Sequence, residues 1–414
     1  HHTLHTLAHV ALLVCYNPKI ERTSSSQREA LAMADVIHTN AAQIIIREAA
    51  DASKERASKS YIINPKKYQS IPRISHEGIV LGEHLASGSF NDVYEVKEIR
   101  PGNTHHQLSD SDENVAVCPS ESAAGVKDMS TKGEDLYVVK FLSRAVVSNL
   151  SAFRTGSIDL ILEAQYLASL DHPNIIALRG IADDVLAGLV SGFGGGHFLL
   201  LDRLHCTLEQ RIAKWHRQQQ KTRMPFRKKR VRQPDNFAKR LHIASELSEA
   251  LRYLHSLGIV YRDLKPENVG FRADGKLKLF DFGLAKELHP SERLPDNLYR
   301  MTGSTGSLRY MAPEVGRNMP YNLSADVYSL SILLWELCSL QQPYAGMSRE
   351  SHAELVLYGQ FRPPIKDGWS NEVKELITNG WADDIRQRPE METFQRVLNQ
   401  EIREALALSE GSEN

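Results

Sequence analysis

The stretch from Gly258 to Lys286, GIVYRDLKPENVGFRADGKLKLFDFGLAK, constrains this chain more than any other. It sets Asp263 and Asn268 five positions apart on a loop stiffened by Pro266, then returns Asp281 at the end of a short alternating segment. Gly275 follows Asp274 in a turn, and Lys276-Leu277-Lys278-Leu279 alternates polar and apolar with period two. A half-buried hairpin strand is predicted there. The hairpin carries Asp281 back beside the loop of Asp263, so three oxygen-bearing side chains, each suited to a hard metal ion or a proton, converge.

Totals exclude several classes. Lys+Arg 50 against Asp+Glu 51 in 414 residues leaves no excess charge to attract nucleic acid or an anionic membrane. The four cysteines, Cys15, Cys118, Cys206 and Cys338, form no CxxC pair. Reduced thiols in a cytoplasmic or nuclear setting fit this better than a disulfide framework or a zinc site. The chain begins at His1 rather than Met, so a fragment or an incomplete gene model is expected. Leu7 to Tyr16 is apolar but falls short of the roughly 20 residues a bilayer span needs. It has no basic segment before it, so a buried or disordered start is preferred to an export signal.

YRDLKPEN followed by DFG resembles the catalytic loop and metal-binding motif of the eukaryotic protein kinases, serine/threonine type. The resemblance runs from about Ile79 to Leu398. It implies an α+β, bilobal protein kinase fold: a small antiparallel β-sheet lobe with one helix at about 75–203, and a larger, mainly helical lobe at about 204–405. Insertions are expected at about 97–135 and 214–236, a helical and linker extension at 1–74, and a tail at 406–414. The cofactors implied are ATP and Mg²⁺; the partners are protein substrates and an upstream activating kinase, with no nucleic acid and no membrane span.

The family pattern assigns roles residue by residue. Asp263 accepts the proton of a substrate hydroxyl, Lys265 neutralises the γ-phosphate, and Asn268 and Asp281 ligate the metal. Lys140, after Val138 and Val139 on a strand, pairs with Glu163 on the following helix, expected at Ser157 to Leu170, and holds the α- and β-phosphates. Leu85, Gly88 and Val93 belong to the glycine-rich loop over the phosphates, with Phe90 at its tip. Only Gly88 keeps its glycine there; Ala86 and Asn91 replace the others, so a weakened grip on phosphate is expected. FLLLDRL, Phe198 to Leu204, reads as a strand into the hinge, with Leu201 as gatekeeper and the backbone around Asp202 and Leu204 at the adenine edge. Val138 gives a bulky roof over adenine and Gly270 a deeper floor, so Gly270→Leu is expected to weaken ATP binding.

Downstream, Leu284 to Leu308 is a hydroxyl-rich run resembling an activation loop. It ends in Gly306 to Glu314, GSLRYMAPE, with Ser307 placed to bond Asp263 and Lys265. Arg262 beside the catalytic Asp suggests control by a phosphate near Thr302 to Thr305. Ser324 to Leu340 is apolar nearly all round and is predicted to be a central buried helix. Arg388, in WADDIRQRP, pairs with Glu314. Tyr261 resembles the cyclic-nucleotide-dependent kinases, whereas SLRYMAPEV, SADVYSLSILLWEL and WADDIRQRPEM resemble the tyrosine-kinase-like group, which is preferred.

Some features stay open. Ser24 to Lys59 has apolar residues at helical spacing and is either a docking helix or, as preferred, one packed on its own domain. Gly194-Gly195-Gly196 is a hairpin tip rather than a P-loop, since no GK[ST] follows. RKKRVR at 227–232 is a solvated loop, an import signal, or a site for anionic lipid or an acidic partner. For the whole chain the alternative to an active kinase is a pseudokinase scaffold with weakened nucleotide binding. A small-molecule kinase is disfavoured by the peptide-docking segment Ser307 to Glu314.

Overall fold

The computed structural model describes residues 44–45, 47–88, 90–100, 136–143, 146, 149–183, 197–222 and 237–410. Leu7 to Tyr16, residues 24–43 of the N-terminal helix, 101–135 of the first insertion, the glycine turn 188–196 and the basic run 227–232 lie outside them. The chain divides into two compact units, one of residues 1–59, 65–164 and 178–201, the other of 60–64, 165–177 and 202–414.

The first unit opens with helix α1 (47–59). Pro65 begins a short helix α2 (Pro65–Gln69), a position where its missing N–H costs nothing. Strand β1 (Arg73–Ile74) then pairs with β5 (Leu178–Ala182) in parallel, Ile74 opposite Ala182. The other strands are β2 (Ile79–Ser87), β3 (Asn91–Ile99), β4 (Tyr137–Leu142) and β6 (Phe198–Asp202), in the order β1-β5-β6-β4-β3-β2. The β1–β5 pair is a parallel one at an edge of the sheet, where β1 supplies backbone partners that β5 would otherwise lack. Ile74, Ile79, Val96, Ile99, Val139, Phe141, Phe198 and Leu200 form its core.

Helix α3 (Leu150–Ser169) begins well before Ser157. Asn149 explains the early start: its Oδ1 accepts from the backbone N–H groups of Ser151 and Ala152, both at 3.1 Å, satisfying donors that a helix leaves unpaired at its N-terminus. The strand expected through Leu204 stops at Asp202.

The second unit contains β7 (Cys206–Thr207), α4 (Leu208–Thr222), α5 (Phe237–Ser256), β8 (Ile259–Val260), β9 (Val269–Phe271), β10 (Leu277–Leu279), β11 (Lys286–Glu287), β12 (Arg293–Leu294) and β13 (Leu298–Tyr299). Then come α6 (Pro313–Gly316), α7 (Ser324–Ser339), α8 (Arg349–His352), a π-helical turn (Ala353–Tyr358), α9 (Asn371–Gly380) and α10 (Met391–Glu410). Every residue of α7 from Ala325 to Ser339 is buried, as its all-round apolar pattern demands. The start of the expected insertion at about 214–236 is not separate from α4, which continues through Thr222. Nor is β10 half-buried. All three of its residues are buried, and the Lys278 ammonium donates to the carbonyl of Ile175 at 3.1 Å. Leu279 bridges Ile175 on the edge that β9 leaves uncovered, so Lys278 faces protein rather than water, while Lys276, just before the strand, stays exposed. Among the described residues, no helix is long and apolar enough to cross a membrane.

Candidate active site

The loop after β8 is fixed from beneath by α7. Asp326, fully buried, accepts the backbone N–H groups of Tyr261 at 2.8 Å and Arg262 at 2.9 Å, and His255 Nε2 lies 2.9 Å from the same carboxylate. A buried carboxylate needs such partners, since leaving a charge unpaired in the interior is costly. These bonds hold Arg262 at φ 70°, a left-handed conformation that costs a non-glycine residue roughly 1–2 kcal/mol. Asp326 stands inside a stretch that the sequence marks as a buried helix, where an ionisable side chain needs fixed partners. The missed signal was an Asp inside a helix with no solvent-facing side.

Asp263 is the hub of the loop. The Lys265 ammonium donates to its Oδ2 at 2.8 Å, Asn268 Nδ2 to the same oxygen at 2.8 Å, and the Ser307 hydroxyl to Oδ1 at 2.8 Å. Lys265 also donates to the Ser307 hydroxyl at 2.9 Å, closing a triangle among the three side chains. The carboxylate is 8% exposed and held by a cation, so it stands oriented as an acceptor. Gly306 lets Ser307 come this close: it sits at φ 95°, and a Cβ there would lie 2.2 Å from the Arg262 carbonyl oxygen. No other residue fits.

Asn268 closes the 3₁₀ turn Pro266–Asn268. Its Nδ2 also donates to the Asp263 carbonyl at 3.0 Å, which leaves Oδ1 as the amide's remaining donor atom. Asp281, two residues beyond β10, sits at φ 64°, a second left-handed non-glycine in the site. Before it the Tyr261 hydroxyl donates to the Phe280 carbonyl, and after it Phe282 packs edge-on against Tyr261 at 5.3 Å between ring centroids. Among the described residues no group of three or more His, Cys, Asp or Glu gathers to hold a metal. An amide oxygen and a carboxylate nonetheless suit Mg²⁺, which binds through one or two protein oxygens and fills its other positions with water and phosphate.

The run expected to be a polar loop with few anchors is more ordered than its composition suggests. β12 and β13 pair as a hairpin, Arg293 with Tyr299 and Leu294 with Leu298, around Asp296 and Asn297 at φ 59° and 58°. Tyr299 is buried with Val260 and Leu288. Of the hydroxyls, Ser291, Thr302 and Ser304 are exposed. Arg262 donates through Nε to the Leu284 carbonyl at 2.6 Å and through Nη1 to the Tyr321 hydroxyl at 3.2 Å.

In the first unit, the Lys140 ammonium bonds Glu163 at 2.7 Å, with side-chain exposures of 11% and 2%. Val138 is buried beside Lys140, whereas Val93, opposite Lys140 in β3, is half-buried and Leu85 is 40% exposed. The two departures from the glycine pattern lie in strands: Ala86 opposes Val93 and Asn91 opposes Leu142. Neither takes a left-handed conformation, so neither position draws on glycine's freedom. Gly88 donates its N–H to the Asn91 carbonyl at 2.7 Å, and Phe90 packs against Gly156 of α3, where a Cβ would approach its ring to 3.3 Å. Leu201 is 5% exposed at the end of this unit.

Asp202, Leu204 and Gly270 belong to the second unit. Asp202 is buried, with Arg272 at 3.7 Å. The deeper floor expected at Gly270 is filled: a Cβ there would lie 2.5 Å from Cδ1 of Leu204. A larger residue at 270 therefore meets Leu204 first. Glu314 and Arg388 form a two-pronged pair at 2.7 and 2.8 Å, and Arg388 Nε also donates to the Ala382 carbonyl at 2.9 Å.

Residues 122–401 match the family model of the protein kinase domain. A probable serine/threonine-protein kinase of Dictyostelium discoideum is 39% identical over 166 residues, which cover 40% of this chain and 11% of that protein. A probable LIM domain-containing serine/threonine-protein kinase of the same organism is 28% identical over 347 residues, 82% of this chain and 46% of that protein. The serine/threonine-protein kinase STY17 of Arabidopsis thaliana is 35% identical over 164 residues, 40% of this chain and 28% of that protein. The chain spans less than half the length of each of these relatives.

Proposed function

Because the chain belongs to the protein kinase family, we propose that it transfers the γ-phosphate of Mg-ATP to serine and threonine hydroxyls of protein substrates. The observation that carries this reading is Asp263 held at once by Lys265, Asn268 and Ser307. An oriented carboxylate accepts the proton of the substrate hydroxyl as that oxygen bonds to phosphorus and the bridging bond to ADP breaks. Lys265 offsets charge on the transferred group. Lys140, held in place by Glu163, does the same for the α- and β-phosphates. Bound Mg²⁺ would neutralise the phosphate oxygens, with Asn268 and Asp281 to hold it. All of this is positioning and charge, which is what phosphoryl transfer asks of a protein.

The test is Mg²⁺-ATP transfer to a generic protein substrate, followed by identification of the phosphorylated residue. Wild type is expected to label serine and threonine, and Asp263→Asn to lose the activity. Equal labelling by both proteins would overturn the reading and leave a nucleotide-binding scaffold.

The same reading includes control by phosphorylation of the activation segment, by an upstream kinase or by a second copy, in a cytoplasmic or nuclear setting. Thr302 and Ser304 are the exposed hydroxyls nearest the carbonyl that Tyr321 reaches. A loop with both changed to Ala that stayed fully active after phosphatase treatment would remove this part.

A further inference from the structure

Helix α3 is buried beyond what one sheet-facing stripe requires. Every residue from 160 to 167 is buried, more than two full turns, whereas a helix packed on one side leaves its opposite face wet. Such a helix needs cover on a further side. Part of that cover comes from α1. Ala49, 0% exposed, clusters with Ile158, Ile161 and Leu162 of α3, and Ala52 packs at the edge of the cluster. Burial on α1 falls at 49, 50, 52, 53 and 57, one face at helical spacing, while Asp51, Lys54, Glu55, Arg56 and Lys59 stay in solvent. The small side chains of Ala49, Ala52 and Ser53 let the two helices approach closely. Arg154 Nε, one turn before Ile158 on α3, lies 3.3 Å from Glu48.

The residues after α1 are anchored as well. Ser60 Oγ donates to Glu287 at 2.5 Å, the Tyr61 N–H to the same carboxylate at 2.8 Å, and the Asn64 N–H to Ser169 Oγ, at the end of α3, at 2.9 Å. None of these groups takes part in phosphoryl transfer.

α3 carries Glu163, whose bond to Lys140 the reaction requires, and displacement of this helix is how the pair is lost. We propose that α1 is an intramolecular brace for α3, with Ala49 and Glu48 as positioning residues that keep Glu163 on Lys140. This rests on the kinase reading above. α1 lies before the 122–401 span matched by the family model, whereas the face of α3 that it covers lies within it.

The test uses the full 414-residue chain. Ala49→Glu sets a carboxylate against Ile158, Ile161 and Leu162. It is expected to lower kcat by about tenfold or more and raise the KM for ATP, because Lys140 loses its partner. Hydrogen exchange over 156–168 is expected to accelerate while the core of α7 stays protected. Should Ala49→Glu fail to fold, Glu48→Arg and Arg154→Glu are each expected to cost about twofold singly and to recover when combined.

Unchanged kcat, KM and exchange in Ala49→Glu, or no recovery in the double swap, would overturn the brace. If wild type itself transfers no phosphate, the kinase reading fails instead. Exchange over 156–168 then still decides whether α1 holds α3.

Discussion

Arg262 and Tyr321 are joined side chain to side chain, Nη1 lying 3.2 Å from the phenolic oxygen, and that hydroxyl donates onward to the Thr302 carbonyl at 2.9 Å. With the bond from Arg262 to Leu284, one guanidinium ties down backbone at two points of the activation segment. Burial raises the Tyr321 pKa, which keeps the hydroxyl protonated as the donor the relay needs. Tyr321→Phe leaves a half-buried N–H and the Thr302 carbonyl without that partner, a loss of about 0.5–1.5 kcal/mol. Activity is expected to fall about tenfold, and exchange at 300–305 to rise; a phenylalanine variant with neither change would dismiss the relay.

Ser307 should discriminate between its near neighbours in size. Threonine keeps the hydroxyl that bridges Asp263 and Lys265, whereas alanine removes a bond to a charged group worth about 1.5–3 kcal/mol. Ser307→Thr is expected to retain kcat and Ser307→Ala to lose roughly 10- to 100-fold, as steady-state kinetics would show.

The Glu314 and Arg388 pair, with side chains 7% and 0% exposed, makes a prediction about stability rather than rate. Removing one partner strands a buried charge at a cost of about 3–5 kcal/mol, while replacing both with apolar residues of similar size costs less. Arg388→Met is therefore expected to lower the melting temperature more than Arg388→Met combined with Glu314→Leu. The reverse order in calorimetry would show that the pair is stabilising in its own right.

Two buried groups give stability a pH dependence of opposite signs. Burial pushes the Glu336 carboxyl up to about 8, against an ordinary 4.5, and Tyr310 donates to it at 2.6 Å. In that window the folded state holds a proton that the unfolded state has released. The contribution of Glu336 is thus complete below about 4.5 and lost as pH rises through about 8. Burial likewise drives His197 down to about 3 from 6.5, so its contribution is lost as pH falls through that range. Glu336→Gln, which still accepts from Tyr310, is expected to flatten the alkaline side of a melting-temperature profile and leave the acid side unchanged.

The sequence made the loop legible because Asp263, Lys265 and Asn268 must stand at fixed spacings for their chemistry, and those spacings are local, while Ser307, 44 positions from Asp263, is marked by its own motif, Gly306 to Glu314. Asp326 was harder to read, because its partners are backbone amides 65 and 64 positions away that no residue type announces. Lys278 misled for a related reason. Alternation says which side chains share a face, not whether protein covers that face, and here Ile175 does. β1 is too short, at two residues, for any periodicity. The left-handed turn at Asp296 and Asn297 is of a kind that Asp and Asn tolerate, but the same residue types are as common in open polar loops, so composition alone does not mark a hairpin there.

That turn gives the activation segment a folding unit of its own. Hairpins of this size close in about 1–10 μs, faster than the exchange of bound ligands in most enzymes. Whenever the segment comes loose, the part between Arg293 and Tyr299 can re-form as one piece and return Tyr299 to Val260 and Leu288. An enzyme working on Thr302 would therefore be racing the segment's own reassembly, and its time to act would be set by that clock.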